Sequence, residues 1–214
     1  MLLVLVSLLK FNHSDMRNLL LLIVLVNLMT ACQQKPADAQ AIDLQDFVVQ
    51  DIPGSDMKRA TLMDVKGKIK EEGTILNGRK HGLWTIYHKD RDIPASIGSY
   101  VNGVPNGPLY EFAPYGQLEQ MRGFTNNVPD GRFAKLKSIN KIEEGTYMNG
   151  ILEGNFKKYY DGTEIVQQEM NYKQNKLDGD IVYYNDKGEV TMKYVYKDGE
   201  KVSGGIVNAA EAQK

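Results

Sequence analysis

The stretch GTYMNGILEGNFKKYYDGTEI, residues 145–165, contains the pattern that decides the fold of this chain. Asn149-Gly150 is a strong signal for a two-residue β-hairpin turn, because both residue types tolerate the positive φ angles that such a turn requires. Elsewhere in the chain apolar residues recur at every second position, as at Val190, Met192 and Tyr194, which is the period of a β-strand. The pattern therefore predicts pairs of antiparallel strands joined by tight turns.

The same pattern recurs in six units of 23–25 residues. An Asn-Gly pair, or a pair of related turn residues, occupies positions 77–78, 102–103, 126–127, 149–150, 174–175 and 198–199. A second glycine follows each of these pairs after a short gap, and we predict that both sets of glycines form turns. The predicted turn glycines are Gly78, Gly82, Gly103, Gly107, Gly131, Gly150, Gly154, Gly179, Gly199 and Gly204.

The repeat predicts an all-β fold, an elongated meander of antiparallel β-hairpins over residues 59–207 with two strands in each unit. The third unit departs most from the pattern, because Asn127 replaces the turn glycine and Lys135-Leu136 replace an aromatic pair. We expect the unpaired edges of the sheet near 59–63 and 205–207, and a polar tail at 208–214.

Two columns of side chains are expected to pack across this sheet. The first column, two residues after the later glycine of each unit, holds Trp84, Leu109, Phe133, Phe156, Ile181 and Ile206. The second column, near the start of each unit, holds Ile75, Tyr100, Thr125, Tyr147, Tyr172 and Tyr196.

The period and its Asn-Gly and Tyr-Tyr elements resemble the MORN repeat, in the bacterial variant form found in YwqK-family antitoxins. The resemblance covers about residues 60–207, and GTYMNGILEGNFKKYYDGTEI and DGDIVYYNDKGEV are its clearest stretches. It implies hairpin units that mediate protein contacts or, in some members, association with membranes. The antitoxin label implies a cytoplasmic partner, which conflicts with the sorting signal at the N-terminus.

The N-terminal region contains an apolar run of signal-peptide length, LLLLIVLVNLM at 19–29, followed by Thr30, Ala31 and Cys32. Met16 and Arg17 lie just before this run and would form a short, positively charged start of a signal peptide, so translation could begin at Met16. The run ending at the only cysteine resembles the lipobox of bacterial lipoproteins, which implies a signal peptide at 1–31 and a diacylglyceryl group on Cys32. We expect residues 32–58 to form a flexible tether, and the outer membrane to be favoured because Gln33 is not an inner-membrane retention signal.

Composition excludes several classes of function. The net charge of −1 gives no basic field for nucleic acid, and one cysteine with three histidines leaves little for a zinc site, which usually needs four nitrogen or sulfur ligands. The Glu71-Glu72 and Glu143-Glu144 pairs could serve acid–base chemistry, but repeated carboxylates on a sheet are more often solvated. We therefore predict no catalytic residues, no metal and no cofactor.

The sequence leaves a non-enzymatic binding module as the leading hypothesis, anchored to the bilayer through Cys32 and facing a protein partner. The alternatives are a lipoprotein that binds glycan or peptidoglycan, and an antitoxin-like neutraliser of a partner protein. The predicted binding surface consists of the aromatic residues Trp84, Tyr87, Tyr110, Tyr159, Tyr160, Tyr183 and Tyr184. In each Tyr-Tyr pair we expect one ring on each side of the strand.

Overall fold

A computed structural model describes residues 41–207, and its described part is all-β. The predicted signal peptide, Cys32 and the tail at 208–214 lie outside the described residues. The strands are β1 Phe47–Asp51, β2 Lys58–Met63, β3 Ile69–Leu76, β4 Arg79–Tyr87, β5 Pro94–Val101, β6 Val104–Phe112, β7 Leu118–Thr125, β8 Val128–Pro129, β9 Gly131–Lys137, β10 Asn140–Met148, β11 Ile151–Leu152, β12 Gly154–Tyr159, β13 Val166–Lys173, β14 Lys176–Tyr184, β15 Val190–Lys197 and β16 Glu200–Ile206.

The strands form one antiparallel sheet in which neighbours along the chain are neighbours in space. The short strands β8 and β11 extend the pairing of β7 and β10 and lie off the main path. The predicted all-β meander of hairpins is confirmed, and its six units correspond to the hairpins that begin at β3, β5, β7, β10, β13 and β15.

The first set of turns forms where the sequence predicts it. Asn77 and Gly78 have φ angles of 50° and 72°, the left-handed values that a two-residue hairpin with a right-handed twist requires. Asn126, Asn127, Gln174 and Asn175 also have positive φ, so these pairs replace Asn-Gly without a change of turn.

The later glycines are not turn residues, and this prediction is wrong. Gly82, for example, lies inside β4 with a φ of +85°, where the pairing of β3 with β4 shifts its register. A β-bulge places an extra residue in one strand, and glycine reaches the required backbone conformation at little cost. The glycines corrected in this way lie within strands or begin them: Gly82, Gly107, Gly131, Gly154, Gly179 and Gly204.

The two faces of the sheet have different compositions. We call core face the side that carries Trp84, Phe133, Met170 and Ile181, each of which is buried. The opposite side, the polar face, has one row of cross-strand partners that runs through Glu72, Thr85, Ile97, Tyr110, Met121, Ala134, Glu144, Lys157, Glu169, Val182 and Lys193.

The opening glycine of a unit makes room for a large side chain on the core face. Gly73 pairs directly with Trp84, and a Cβ atom on Gly73 would lie 2.3 Å from the indole carbon Cε3. Gly145 is in the same position, since its Cβ would lie 2.9 Å from the ring of Phe133 and 3.0 Å from that of Phe156. These glycines are therefore packing residues, a role that the turn pattern does not suggest.

The predicted columns are buried in part. The first column is well buried at Trp84, Phe133 and Ile181, but its last member, Ile206, is 78% exposed because β16 ends the described sheet. The second column is buried at Ile75, whereas Thr125 is exposed.

The sheet begins earlier than predicted. Strand β1 pairs with β2 through Phe47↔Leu62 and the following residues, and Ile42, Leu44 and Phe47 pack against Trp84 on the core face. The predicted start of the sheet at 59 and the predicted tether at 32–58 are therefore corrected, because the second half of the segment 32–58 already belongs to the folded sheet. The first edge strand is β1, and not the segment 59–63, because apolar residues before the first repeat cover the core.

The third unit is irregular for a simple reason. Its turn follows the opening glycine, Gly123, one residue sooner than in the other units. Leu109 consequently pairs with Arg122 and Pro108 pairs with Gly123, whereas the equivalent Trp84 pairs with the opening glycine of the next unit. A shift of one residue moves side chains to the opposite face, so Arg122 lies on the core face and Gly123 on the polar face.

Candidate binding surface

The seven aromatic residues predicted to form a binding surface do not lie together. Trp84 is only 1% exposed, and the ring of Phe47 lies 6.0 Å from it. Tyr183 packs edge-on against Tyr194 on the core face at 6.0 Å. The prediction is therefore wrong for Trp84, which is a core residue covered by the segment before the repeats.

Three of the tyrosines form the same hydrogen bond in three units. The hydroxyl of Tyr87 donates to Glu72, that of Tyr159 to Glu144, and that of Tyr184 to Glu169, each across fifteen positions of sequence. The glutamate precedes the opening position of its unit and belongs to the central row of the polar face. The regular Glu–Tyr spacing is visible in the sequence, but the turn pattern and the strand period do not predict these hydrogen bonds.

The Tyr183-Tyr184 pair divides between the faces as expected. Tyr183 contacts the core face, while the Tyr184 hydroxyl reaches Glu169 on the polar face. Tyr160 follows the end of β12, and its hydroxyl donates to the backbone carbonyl of Tyr184 at 2.8 Å. Tyr160 therefore connects neighbouring units and is not free for a ligand.

Glu144 has the most complete set of partners on the polar face. Burial would raise its pKa, but hydrogen bonds from Lys141 and Tyr159 outweigh that effect and hold the pKa of the carboxyl below its usual range. The pKa of Tyr159 is raised, by burial and by the adjacent Glu144 carboxylate. The pair is thus an ionised carboxylate held by a neutral phenol.

The Glu71-Glu72 pair, for which the sequence does not favour acid–base chemistry, is occupied by structural contacts. Glu71 accepts a hydrogen bond from the Trp84 indole at 2.7 Å, and Lys80 lies 3.5 Å from the same carboxylate oxygen. The ammonium of Lys80 lies 4.3 Å from the Trp84 ring centroid, and burial lowers the pKa of this lysine while Glu71 opposes the shift. The arrangement satisfies the buried indole N–H and the half-buried lysine, which is a structural role.

Two adjoining depressions mark the middle of the polar face, and Arg132 lines both. The first encloses about 440 Å³ beside Pro108, Tyr110 and Met121. The second encloses about 500 Å³ beside Glu144, Asn155 and Lys157. Of the seven predicted aromatics, only Tyr110 lines either of these depressions, whereas Tyr87 lines a larger one of about 790 Å³ at the β2–β3 and β4–β5 loops.

The first depression lies where the register of the sheet changes at the short third unit. In three units a small polar side chain lies against the bulge glycine of the paired strand, as when Thr74 Oγ1 lies 2.8 Å from the Cβ position of Gly82. Gly123 occupies the equivalent position of the third unit, but its Cβ direction is blocked by the backbone carbonyl oxygen of Asp130. The depression opens beside Gly123, between Pro108, Tyr110 and Met121.

Residues 41–207 contain no cluster of three or more His, Cys, Asp or Glu side chains suited to a metal ion. Within the same residues no helix is long and apolar enough to cross a membrane.

Comparisons with known proteins add no family to this description. The chain matches no protein-family model, and a comparison with curated proteins also gives no match.

Proposed function

We propose that this protein is a membrane-anchored envelope lipoprotein that binds a protein partner through the polar face of its repeat sheet, without catalysis. The observation that carries the proposal is the pair of adjoining depressions that share Arg132 in the middle of the polar face. Apolar and charged groups are combined there, as they are at protein interfaces. The anchor is supported by the apolar run and the small residues before Cys32.

The MORN-like repeat supports a contact function, because such a sheet offers an extended surface built from short units. Its carboxylates are engaged by tyrosine, lysine and tryptophan donors, which supports a structural role for them and favours binding over acid–base chemistry. Burial of Trp84 weakens the glycan alternative, since this ring is not available for stacking on a sugar.

Site-specific photo-crosslinking in cells tests the proposed surface. Glu119 is exposed in β7, two residues from Met121, and suits a photoreactive amino acid. Val65, fully exposed in the loop between β2 and β3, lines a separate depression and is the control for a partner bound there instead. We expect a discrete protein adduct from position 119 in the membrane fraction and none from position 65.

The opposite pattern would contradict the proposal. An adduct from position 65 alone would place the partner on the loops, and an adduct found only in the cytosol would favour the antitoxin-like alternative. Loss of the adduct after addition of a soluble envelope polysaccharide would favour the glycan-binding alternative.

A further inference from the structure

The depression at the short third unit has an apolar part and a charged part next to each other. Pro108 is exposed at its rim, while Tyr110 and Met121 are half-buried on its walls. The flexible methionine adapts to aliphatic side chains of different shape, and the tyrosine ring adds a rigid apolar surface. This part of the depression accommodates one apolar side chain.

The acidic groups beside the two depressions already have donors. Both carboxylate oxygens of Asp130 accept hydrogen bonds, one from the Asn149 N–H at 3.1 Å and one from the Thr125 hydroxyl at 2.9 Å. Glu153 accepts a bond from the Gln174 N–H at 2.8 Å. These carboxylates have less capacity left to bind a cation from outside.

Arg132 differs from these groups because its charge is weakly paired. Its guanidinium lies 3.9 Å from Glu144, at the limit of an ion pair, and the side chain is 79% exposed. By comparison, Lys157 lies 3.6 Å from Glu169 and is 33% exposed. A guanidinium offers several donors in a planar fork that suits a carboxylate. Charge complementarity at the junction of the two depressions therefore favours an anionic group on the ligand.

We infer that this site binds an extended peptide segment of the partner in which an apolar residue stands next to an acidic one. The apolar side chain enters the depression beside Tyr110 and Met121, and the carboxylate pairs with Arg132. A peptide is favoured over a glycan because Pro108 and Met121 add aliphatic surface to the ring of Tyr110, beside the cationic Arg132. The inference depends on the proposed function, since it names the chemistry of the partner at that same surface.

Selection from a display library of random dodecapeptides tests the inference with the full-length chain. We expect the wild type to enrich apolar–acidic pairs, and Arg132→Glu to enrich apolar–basic pairs instead. The best wild-type peptide should lose at least about tenfold in affinity with Arg132→Glu, as is typical of a central interface residue. Arg79→Glu reverses an exposed charge at the turn between β3 and β4 and should change the affinity by less than about twofold.

Tyr110→Ala provides a second variant, which should weaken the peptide without changing the charge preference. Unaltered circular dichroism of both variants shows that the sheet is retained. The inference is overturned if wild type and Arg132→Glu enrich the same peptides, or if neither enriches any.

Competition experiments distinguish other occupants. Displacement of the selected peptide by synthetic peptides of residues 33–40 or 208–214 assigns the site to a segment of this chain, and displacement by a uronic acid polymer assigns it to a glycan; either result overturns the inference. If peptide selection fails while the adduct at position 119 persists in Arg132→Glu, the proposed function stands and only the peptide chemistry is wrong.

Discussion

Substitution of Gly73 by alanine should destabilise the sheet strongly. The new Cβ would lie 2.3 Å from Trp84 Cε3 and 2.7 Å from the Leu83 carbonyl oxygen, whereas carbon atoms in contact are normally about 3.5–4.0 Å apart. The indole cannot move freely, because Phe47 and Lys80 pack on it. The overlap exceeds 1 Å by these figures, and the contact with backbone cannot be relieved by a side-chain rotation.

Overpacking of a close-packed site costs about 1–3 kcal/mol, and we expect the upper end here, about 3 kcal/mol. For a domain of this size that free energy corresponds to a fall in Tm of roughly 6–12 °C. Gly205→Ala is the matched control, since no atom lies within 4 Å of its Cβ position and its φ is not in the left-handed region.

Urea unfolding followed by fluorescence measures the effect directly, because the chain has one tryptophan and it is buried at this site. Circular dichroism at the same urea concentrations reports the sheet as a whole and reveals whether the first units unfold separately. Retention of wild-type stability by Gly73→Ala, within about 0.5 kcal/mol, would refute the explanation of the opening glycines as space for the core side chains.

Two further predictions concern the cover of the core face and the Glu–Tyr pairs. Phe47→Ala should cost about 2 kcal/mol, less than for a fully buried phenylalanine, and should shift Trp84 emission to longer wavelength, whereas Val48→Ala at an exposed position should do neither. Tyr159→Phe should cost about 1 kcal/mol at pH 7, because a hydrogen bond to a carboxylate is lost. The lowered pKa of Glu144 adds stability above its ordinary value of 4.5, and this is lost as the pH falls through the folded-state pKa. The difference between wild type and Tyr159→Phe, measured by urea unfolding at several pH values, should therefore shrink below about pH 4.5; a pH-independent difference would show that Glu144 is not ionised in this pair.

The hairpins could be predicted from sequence because the turn signal is local. Asn77-Gly78 favours its backbone conformation wherever it occurs, and the strand period supports it on both sides. The role of Gly82 could not be assigned in the same way, since a bulge and a turn both require positive φ. Only the pairing of β3 with β4 distinguishes the two.

The binding surface was harder to predict because exposure depends on segments outside the repeat. Trp84 is the kind of large aromatic residue that often binds ligands, but Phe47 and its neighbours cover it. The repeat pattern gives no sign of this cover, because Phe47 precedes the first repeat. The depression beside Tyr110 lies at an irregularity that is visible in the sequence, the short interval from Gly123 to Asn126. Its consequence, the exchange of Arg122 and Gly123 between faces, requires the observed register.

Membrane anchorage through Cys32 is the central claim of the proposed function, and the intact mass of the N-terminal peptide from membrane-fractionated cells tests it most directly. Cys32→Ala, expressed in parallel, is the control. The account predicts that the wild-type chain begins at Cys32 with a diacylglyceryl group and that the variant lacks this modification and leaves the membrane fraction. An unmodified chain in the cytosol that begins at Met1 or Met16 would contradict the account.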